Sequence, residues 1–451
     1  MTLVSPSRGA EVAALVGDNS GLGIPLGPYD QVAGKPGLNE FTSIYHLLPD
    51  RHRRGGGGEM DLEHWQLPVF VGGNFEGITE DLPRIADLGY DEVWMGPFTK
   101  GPGYHGYHPE AMDEIDPHFG DESKLLALTA RAHELGLRVM IDVVPNHCSD
   151  QHPFYQKAIG RIPLEPGDPD DGYRDWFRFD RFPDKPQTFL HYGDLIKFNV
   201  DNPEVVKYLQ AAFRKWKKLG VDDFRVDHII GLSNRNVDDL FGPLKKEFPD
   251  MKLIGEAWMG DDGCRVAWRD LNTIRVCNKR LIWSLGRVGL ETTSSALLYR
   301  NYMGRLDGVL DFTAAKMLET YATANSPRQK AQAKNRLIKW TNKFRGKLLQ
   351  VVFADNHDMP RAMYRYGDDP KVFKDTMELA YSLDQPVANY HGTEYGATQD
   401  GEFGDWHGDL KAREPLELIQ ARQVPGMFNF FKGIVSRRKQ RSAVMPQREA
   451  A

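Results

Sequence analysis

The stretch 221–230, VDDFRVDHII, places an arginine and a carboxylate, Arg225 and Asp227, two residues apart inside an apolar run. Two residues apart on a strand means one shared face. A fixed positive charge beside a carboxyl favours its charged form, so Arg225 is expected to keep Asp227 ionised, as a nucleophile or an electrostatic stabiliser. A structural Arg–Asp pair at a strand end is the plainer reading. Three further stretches weigh against it: DVVPNH with Asp142, Asn146 and His147, IGEAW with Glu256 and Trp258, and FADNHDMPR with Asn356, His357, Asp358 and Arg361. Each closes an apolar run. A single strand-end Asp usually caps the next helix, and a single His is usually just hydrogen-bonded. Several carboxylates, two histidines and an arginine gathered at the same end of successive strands are polar groups that a core would not tolerate unpaired, and caps do not explain them.

From Phe41 onward, short apolar runs alternate with amphipathic stretches, the rhythm of a parallel sheet with crossover helices. The strand candidates are FTSIYHLL, DEVWMGPF, LRVMIDVV, VDDFRVD, MKLIGEAW, LDGVLDF, LLQVVFAD and PVANYHG. The helical candidates between them are GITEDLPRIADLG, ESKLLALTARAHELG, NPEVVKYLQAAFRKWKKLG, NVDDLFGPLKKEFP, PRQKAQAKNRLIKWTNKF and VFKDTMELAYSL. Eight such strands predict an α/β fold, a (β/α)8 TIM barrel over residues 41–440, with a Gly- and Pro-rich extension over 1–40 and a tail over 441–451. A doubly wound open sheet would want a glycine-rich fingerprint after the first strand, and none is there. RRGGGGE, residues 53–59, lacks the lysine and hydroxyl of a phosphate loop. In a barrel the chemistry sits at the C-terminal strand ends, where the polar residues above fall.

Composition narrows the partners. With 41% hydrophobic and 27% charged residues over 451 positions, the chain can bury a large core. A net charge of -6, with no long basic run before SRRKQR near the end, argues against nucleic acid or a membrane surface and for a small neutral ligand. Met1–Val16 has no basic start followed by an apolar core, and the cysteines Cys148, Cys264 and Cys277 have no metal-ligand spacing. A cytoplasmic location is expected.

DVVPNH, FRVDH, IGEAW and FADNHD, in this order and on these strands, resemble the four signature regions of the α-amylase family, glycoside hydrolase family 13. IYHLLPDR, GYHGYHPEAMDEIDPHFG and NYHGTEYG extend the resemblance over roughly 41–438. It implies Asp227 as nucleophile, Glu256 as general acid/base and Asp358 as the carboxylate that stabilises the transition state. It also implies that Arg225 positions the nucleophile, that His147 and His357 bind hydroxyls of the sugar being cleaved, and that Tyr107 is the platform beneath it. The chemistry agrees: a retaining glycosidase needs two carboxyls roughly 5 Å apart, one ionised to attack and one protonated to donate. Negative charge from Asp227 and Asp358 is expected to keep Glu256 protonated.

The sequence departs from the family where many amylases carry a lysine and a histidine that contact the leaving-side sugar, since Ile230 and Gly231 stand there. His228 is a possible substitute contact. The usual calcium site is weakened although Asn146 is present, so no cofactor is expected to be required. The insertion 148–195 after the third strand is short, resembling the family's small B domain, and the family's C-terminal β-sandwich is expected to be missing. These features suggest a small α-glucoside or short oligosaccharide as substrate, with Trp258, Phe98, His108 and Arg361 as further pocket candidates. The same fold also serves transglycosylases and phosphorylases, and a non-catalytic sugar-binding relative is the reading from another class. Apolar barrel surface left by a missing sandwich would suit a homo-oligomer.

Overall fold

The computed structural model describes residues 37–190, 192–258, 287–402 and 408–444. Most of the proposed N-terminal extension, the end of the tail, and Cys264 and Cys277 lie outside these residues. All eight anticipated strands form: β1 Ser43–Leu47, β2 Glu92–Met95, β3 Arg138–Val143, β4 Asp223–Val226, β5 Leu253–Gly255, β6 Gly308–Leu310, β7 Leu349–Phe353 and β8 Val387–Tyr390. They close in chain order into one parallel barrel, β1 pairing with both β2 and β8. Their residues are buried almost throughout, as parallel strands covered on both faces must be, which is why they read as apolar runs rather than alternations.

The helices start where the sequence offers caps. Asn74 accepts from the Gly77 amide at the head of α1 (Phe75–Leu88), which ends at Gly89 with φ 98°. Asp121 caps α2 (Glu122–Glu134), Asn202 caps α3 (Pro203–Lys218), and Ser233 with Asn236 forms a reciprocal box at α4 (Asn234–Glu247). Among the described residues, two helices longer than ten residues were not anticipated. In α5 (Arg287–Tyr302) the segment RVGLETTSSALLYRNY has no clean apolar stripe, and α6 (Phe312–Ala322) follows β6 with only Asp311 between them. Asp311 ends the strand by turning its carboxylate back to the Ala314 amide as the helix cap. The chain continues through α7 (Pro327–Thr341), α8 (Pro370–Ser382) and α9 (Met427–Val444), so the last helix runs past the expected barrel boundary at 440.

The basic run SRRKQR is not simply a solvated face. Arg438 within α9 is buried and donates to the carbonyls of Glu40, Phe41, Tyr381, Leu383 and Gln385, closing the N-terminal end of the barrel. After β3 the chain leaves the barrel for the insertion, whose ends pair antiparallel as His147–Ser149 against Leu195–Lys197. Phe154, Tyr173, Trp176 and Phe177 fill it and join the main core through Tyr208 of α3.

Candidate active site

Strand register assembles the first half of the site. Asp142 on β3 pairs with Arg225 on β4, and Val226 pairs with Gly255 on β5, so Asp227 and Glu256 leave the barrel side by side. The Arg225 side chain is fully buried, and such a charge needs partners. Its Nη1 donates to Asp142 Oδ1 at 2.7 Å and to Asp227 Oδ1 at 3.0 Å, and its Nη2 lies 2.7 Å from Glu256 Oε1. Asp142 is held in turn by the Tyr107 hydroxyl at 2.8 Å and the Trp94 indole N–H at 3.2 Å. Glu256 Oε2 accepts the His228 backbone N–H at 2.9 Å, which explains the φ of 41° at His228: the turn after Asp227 aims an amide at the neighbouring carboxylate.

The electrostatics correct one expectation. Burial, and then the charge of Glu256, outweigh Arg225 and push the Asp227 carboxyl well above its ordinary value. Burial raises Glu256 as well, against the opposing pull of Arg225. One arginine is shared among Asp142, Asp227 and Glu256, and Asp227 and Glu256, both raised, titrate together.

Asp358, just beyond β7, is the opposite case. Burial alone would raise its carboxyl, yet His357 and Arg413 hold it far below the ordinary range. His357 Nε2 lies 3.0 Å from Oδ2, and Arg413 Nη2 donates to Oδ1 at 2.9 Å. His357 also shares a 2.9 Å hydrogen bond with His46 of β1 through Nδ1, and its ring stacks on Tyr107 with centroids 5.2 Å apart. Arg413 and His46 are functional candidates that the sequence reading missed. His46 sits within the YHLL run of β1, where it reads as core, and Arg413 lies in KAREPL, which has no strand or motif to mark it.

The remaining candidates divide. His147 is buried at the mouth of the insertion, its Nε2 3.2 Å from the Tyr107 carbonyl, and burial lowers its pKa to about 3, so it is neutral. Phe189 of the insertion stacks on His147 at 4.7 Å and meets the edge of His228 at 4.6 Å, with Tyr192 stacked beyond it at 6.0 Å. His228 therefore points toward the insertion rather than away from the site. Trp258 stacks on Phe312 at 4.8 Å, and His108 Nδ1 lies 3.8 Å from Asp194. Two candidates are not brought to the carboxylates. Arg361 is buried with its guanidinium 4.2 Å over the Tyr390 ring and bonded to the His391 carbonyl, and Phe98 packs in the core between Phe75 and Trp216.

The model of the alpha amylase catalytic domain matches residues 46–414, the greater part of the chain. The chain belongs to the alpha-amylase family. It is 27% identical over 414 residues to alpha-amylase 2 of Dictyoglomus thermophilum, an alignment covering 91% of this chain and 65% of that protein. It is 26% identical over 390 residues to an intracellular maltogenic amylase of Bacillus subtilis, covering 84% and 57%. The chain thus spans less than two thirds of the length of these relatives. Among solved structures, a cyclomaltodextrinase superposes with a TM-score of 0.68 at 20% identity, covering 89% of this chain and 63% of that one. The cyclic α-maltosyl-(1→6)-maltose hydrolase of Arthrobacter globiformis, in complex with its cyclic sugar, gives 0.68 at 19% identity, covering 90% and 84%. These structural likenesses establish the fold.

Of the residues that the alpha-amylase resemblance implies for calcium, Asn146 is present, beside His147 and Gly231. Its Nδ2 lies 3.2 Å from His147 Nδ1, and its Oδ1 would be 2.3 Å from a Cβ at Gly231. Gly231 is thus required by close approach, and a histidine there would need Asn146 to move. No three His, Cys, Asp or Glu side chains cluster in a metal-binding arrangement among the described residues. One neutral amide does not fit a cation that wants six to eight oxygens.

Proposed function

We propose that the chain hydrolyses the α-glucosidic bond of a small α-glucoside or short oligosaccharide with retention, through a covalent glucosyl-enzyme. The observation that carries this reading is the pair Asp227 and Glu256, from adjacent strands, held on the two Nη nitrogens of one guanidinium. A shared guanidinium keeps two carboxyls within a few ångströms, which suits direct attack rather than the wider gap that admits a water between acid and base. Asp227 attacks the anomeric carbon. Glu256 protonates the leaving oxygen and then takes the proton from water. For that the proton of the pair must reside on Glu256 when substrate is bound; Arg225 then turns its full charge to Asp227 and Asp142. Asp358, fixed as an anion, stabilises the positive charge that develops on the sugar ring. Tyr107 and His357 offer a flat face to the ring, and neutral His147 offers a nitrogen to its hydroxyls.

Substrate size is part of the proposal. Several relatives are named for maltogenic activity or for cyclomaltodextrin, and a structural neighbour is named for a cyclic maltosyl-maltose, while others are named alpha-amylase or neopullulanase. A short insertion and the absence of a basic pair at Ile230 and Gly231 offer little to a long chain, whose remote binding energy would otherwise speed the chemical step. Transfer to a sugar acceptor is the second reading, favoured by the stacked rings of Phe189 and Tyr192 beside His228. We also place the protein in the cytoplasm, supported by relatives named intracellular. A panel of α-glucosides of increasing length, with products identified and water compared against sugar acceptors, tests the reading. kcat/KM is expected to peak at a di- to tetrasaccharide; a steady rise with chain length would overturn the small-substrate reading.

A further inference from the structure

We propose that the outer face of α7 is a docking surface for the phosphate backbone of a nucleic-acid duplex. The net charge of -6 conceals a local imbalance, because residues 320–354 contain eight lysines and arginines and no aspartate or glutamate. Helix α7 turns Ala333, Leu337, Trp340 and Thr341 inward, and the Trp340 indole N–H donates to Asp311 at 2.8 Å, which fixes the face that points out. Arg328, Gln332, Asn335, Arg336 and Lys339 fall on that exposed face at the three- and four-residue spacing of one helical stripe, with Lys343 in the turn beyond. At about 1.5 Å per residue the row from Arg328 to Lys339 is roughly 16 Å long. One strand of a duplex presents about five phosphates over that length.

The cations of α9 behave differently. There Lys432 pairs with Asp87, Arg437 with Glu378, Lys439 with Asp91 and Arg441 with Asp384. Between 327 and 347 only Lys330 and Arg345 are answered in this way, by Asp375 and Asp384. Arg328, Lys334, Arg336, Lys339, Lys343 and Lys347 are exposed and have no acidic partner among the described residues. Like charges along one helix repel, and a bound polyanion would relieve that repulsion. The side chains around the cations select the polyanion. A protein interface draws on aromatic and apolar residues and a membrane-bound helix on apolar ones, yet no large apolar side chain is exposed from 327 to 347. Lysine and arginine mixed with amides, here Gln332 and Asn335, are the donors that meet phosphate oxygens. A single strand would want exposed aromatic rings for its bases, and the face has none, so a duplex fits it better.

The test is fluorescence anisotropy of a labelled DNA duplex of about 20 base pairs, titrated with the full chain at salt concentrations from about 50 to about 200 mM. With about four phosphates neutralised, affinity is expected to fall about a hundredfold over that range. The triple variant Arg336→Gln, Lys339→Gln and Lys343→Gln should bind more than about tenfold more weakly at the lowest salt and flatten the slope of log affinity against log salt by about three. Glutamine keeps the helix, so the melting temperature and the kcat/KM on a maltooligosaccharide should match wild type. A control triple, Lys124→Gln, Arg131→Gln and Lys207→Gln, removes the same charge from cations already paired with Glu76, Glu134 and Glu204, and should keep the wild-type slope. Should the first triple fail to fold, Lys339→Gln alone should lower the slope by about one. The proposal is overturned if no binding appears at the lowest salt with protein up to about 100 μM, or if both triples shift the slope equally. It is also overturned if phosphatidylserine vesicles retain the protein while the duplex does not bind, since the face would then belong to a membrane.

Discussion

The β3–β4 strand pair carries two arginine-centred carboxylate clusters, one at each end, and only one resembles a site. At the N-terminal end Arg138 of β3 forms a forked contact with Asp223 of β4, Nε to Oδ2 and Nη2 to Oδ1 both at 2.9 Å. Asp223 also accepts the Lys252 amide, and Asp222 accepts the Val139 amide and His133. Glu92 of β2 is fully buried beside them, its carboxyl pushed well up by burial and by the charge of Asp223. At the C-terminal end Arg225 is shared among carboxylates of three strands, and Asp227 and Glu256 keep 7% and 8% of their surface open where Asp223 and Glu92 keep none. Buried charge and displaced pKa values thus occur at both ends. What separates a site from a clamp is access.

The sharpest way to break this comparison is to remove one carboxyl at a time from the upper cluster, the one around Arg225. Asp227→Asn and Glu256→Gln are each expected to lower kcat on an oligosaccharide by more than about a thousandfold while leaving the melting temperature level or raised, since each relieves a crowded buried charge. Glu256→Gln should lose far less on an aryl glucoside with a good leaving group, where protonation matters little. Equal losses on both substrates would remove Glu256 from the acid/base role.

The converse experiment is made at the other end. Arg138→Met leaves Asp223 buried without its countercharge, and breaking such a pair costs about 3–5 kcal/mol. Thermal unfolding should register that loss, while kcat per folded molecule stays at the wild-type value. A variant of normal stability and reduced kcat would mean that the lower cluster is tied to the chemistry.

Much of this was legible in the chain because parallel strands buried on both faces leave long apolar runs and barrel chemistry clusters where those runs end. Asp227, Glu256 and Asp358 stand out for that reason. The upward push on Asp227 is not legible, because an arginine two residues away is visible in sequence, whereas its division among β3, β4 and β5 depends on register. Arg361 looked equivalent to its neighbours in FADNHDMPR, yet the turn after Asp358 carries it under Tyr390. Arg413 was invisible because nothing local distinguishes an arginine that closes a site from one that meets solvent.

A smaller effect separates the two ends by pH. Burial lowers the pKa of His46, His105, His147 and His228, all on the site side, with His147 at about 3. A histidine whose folded pKa is depressed stays neutral in the fold while the unfolded chain takes up a proton below about pH 6.5, so its stabilising effect is present above that pH and is lost as pH falls toward the folded value. For His147 the window runs from about 6.5 down to about 3, with a slope of at most about 1.4 kcal/mol per pH unit. Melting temperature should therefore fall as the pH is lowered through this range, and His147→Gln should flatten the fall by one proton's worth. An unchanged slope in that variant would mean that His147 is charged in the fold.

The least effect is expected from removing metal ions. A calcium site that supports a fold would need several oxygen ligands, and loss of the ion would then lower the melting temperature in proportion to its binding free energy. Asp223, Asp142 and Asp227 already accept from guanidinium donors, and Asn146 is wedged between His147 and Gly231. Nothing in either cluster would be left uncompensated by a chelator. Activity and melting temperature measured with excess chelator, and again after calcium is restored in excess, should agree within experimental scatter. A fall of many degrees that calcium reverses would instead place a cation among ligands supplied by the rest of the chain, and would make the stability of the upper face depend on metal as well as on the ion pairs of Arg225.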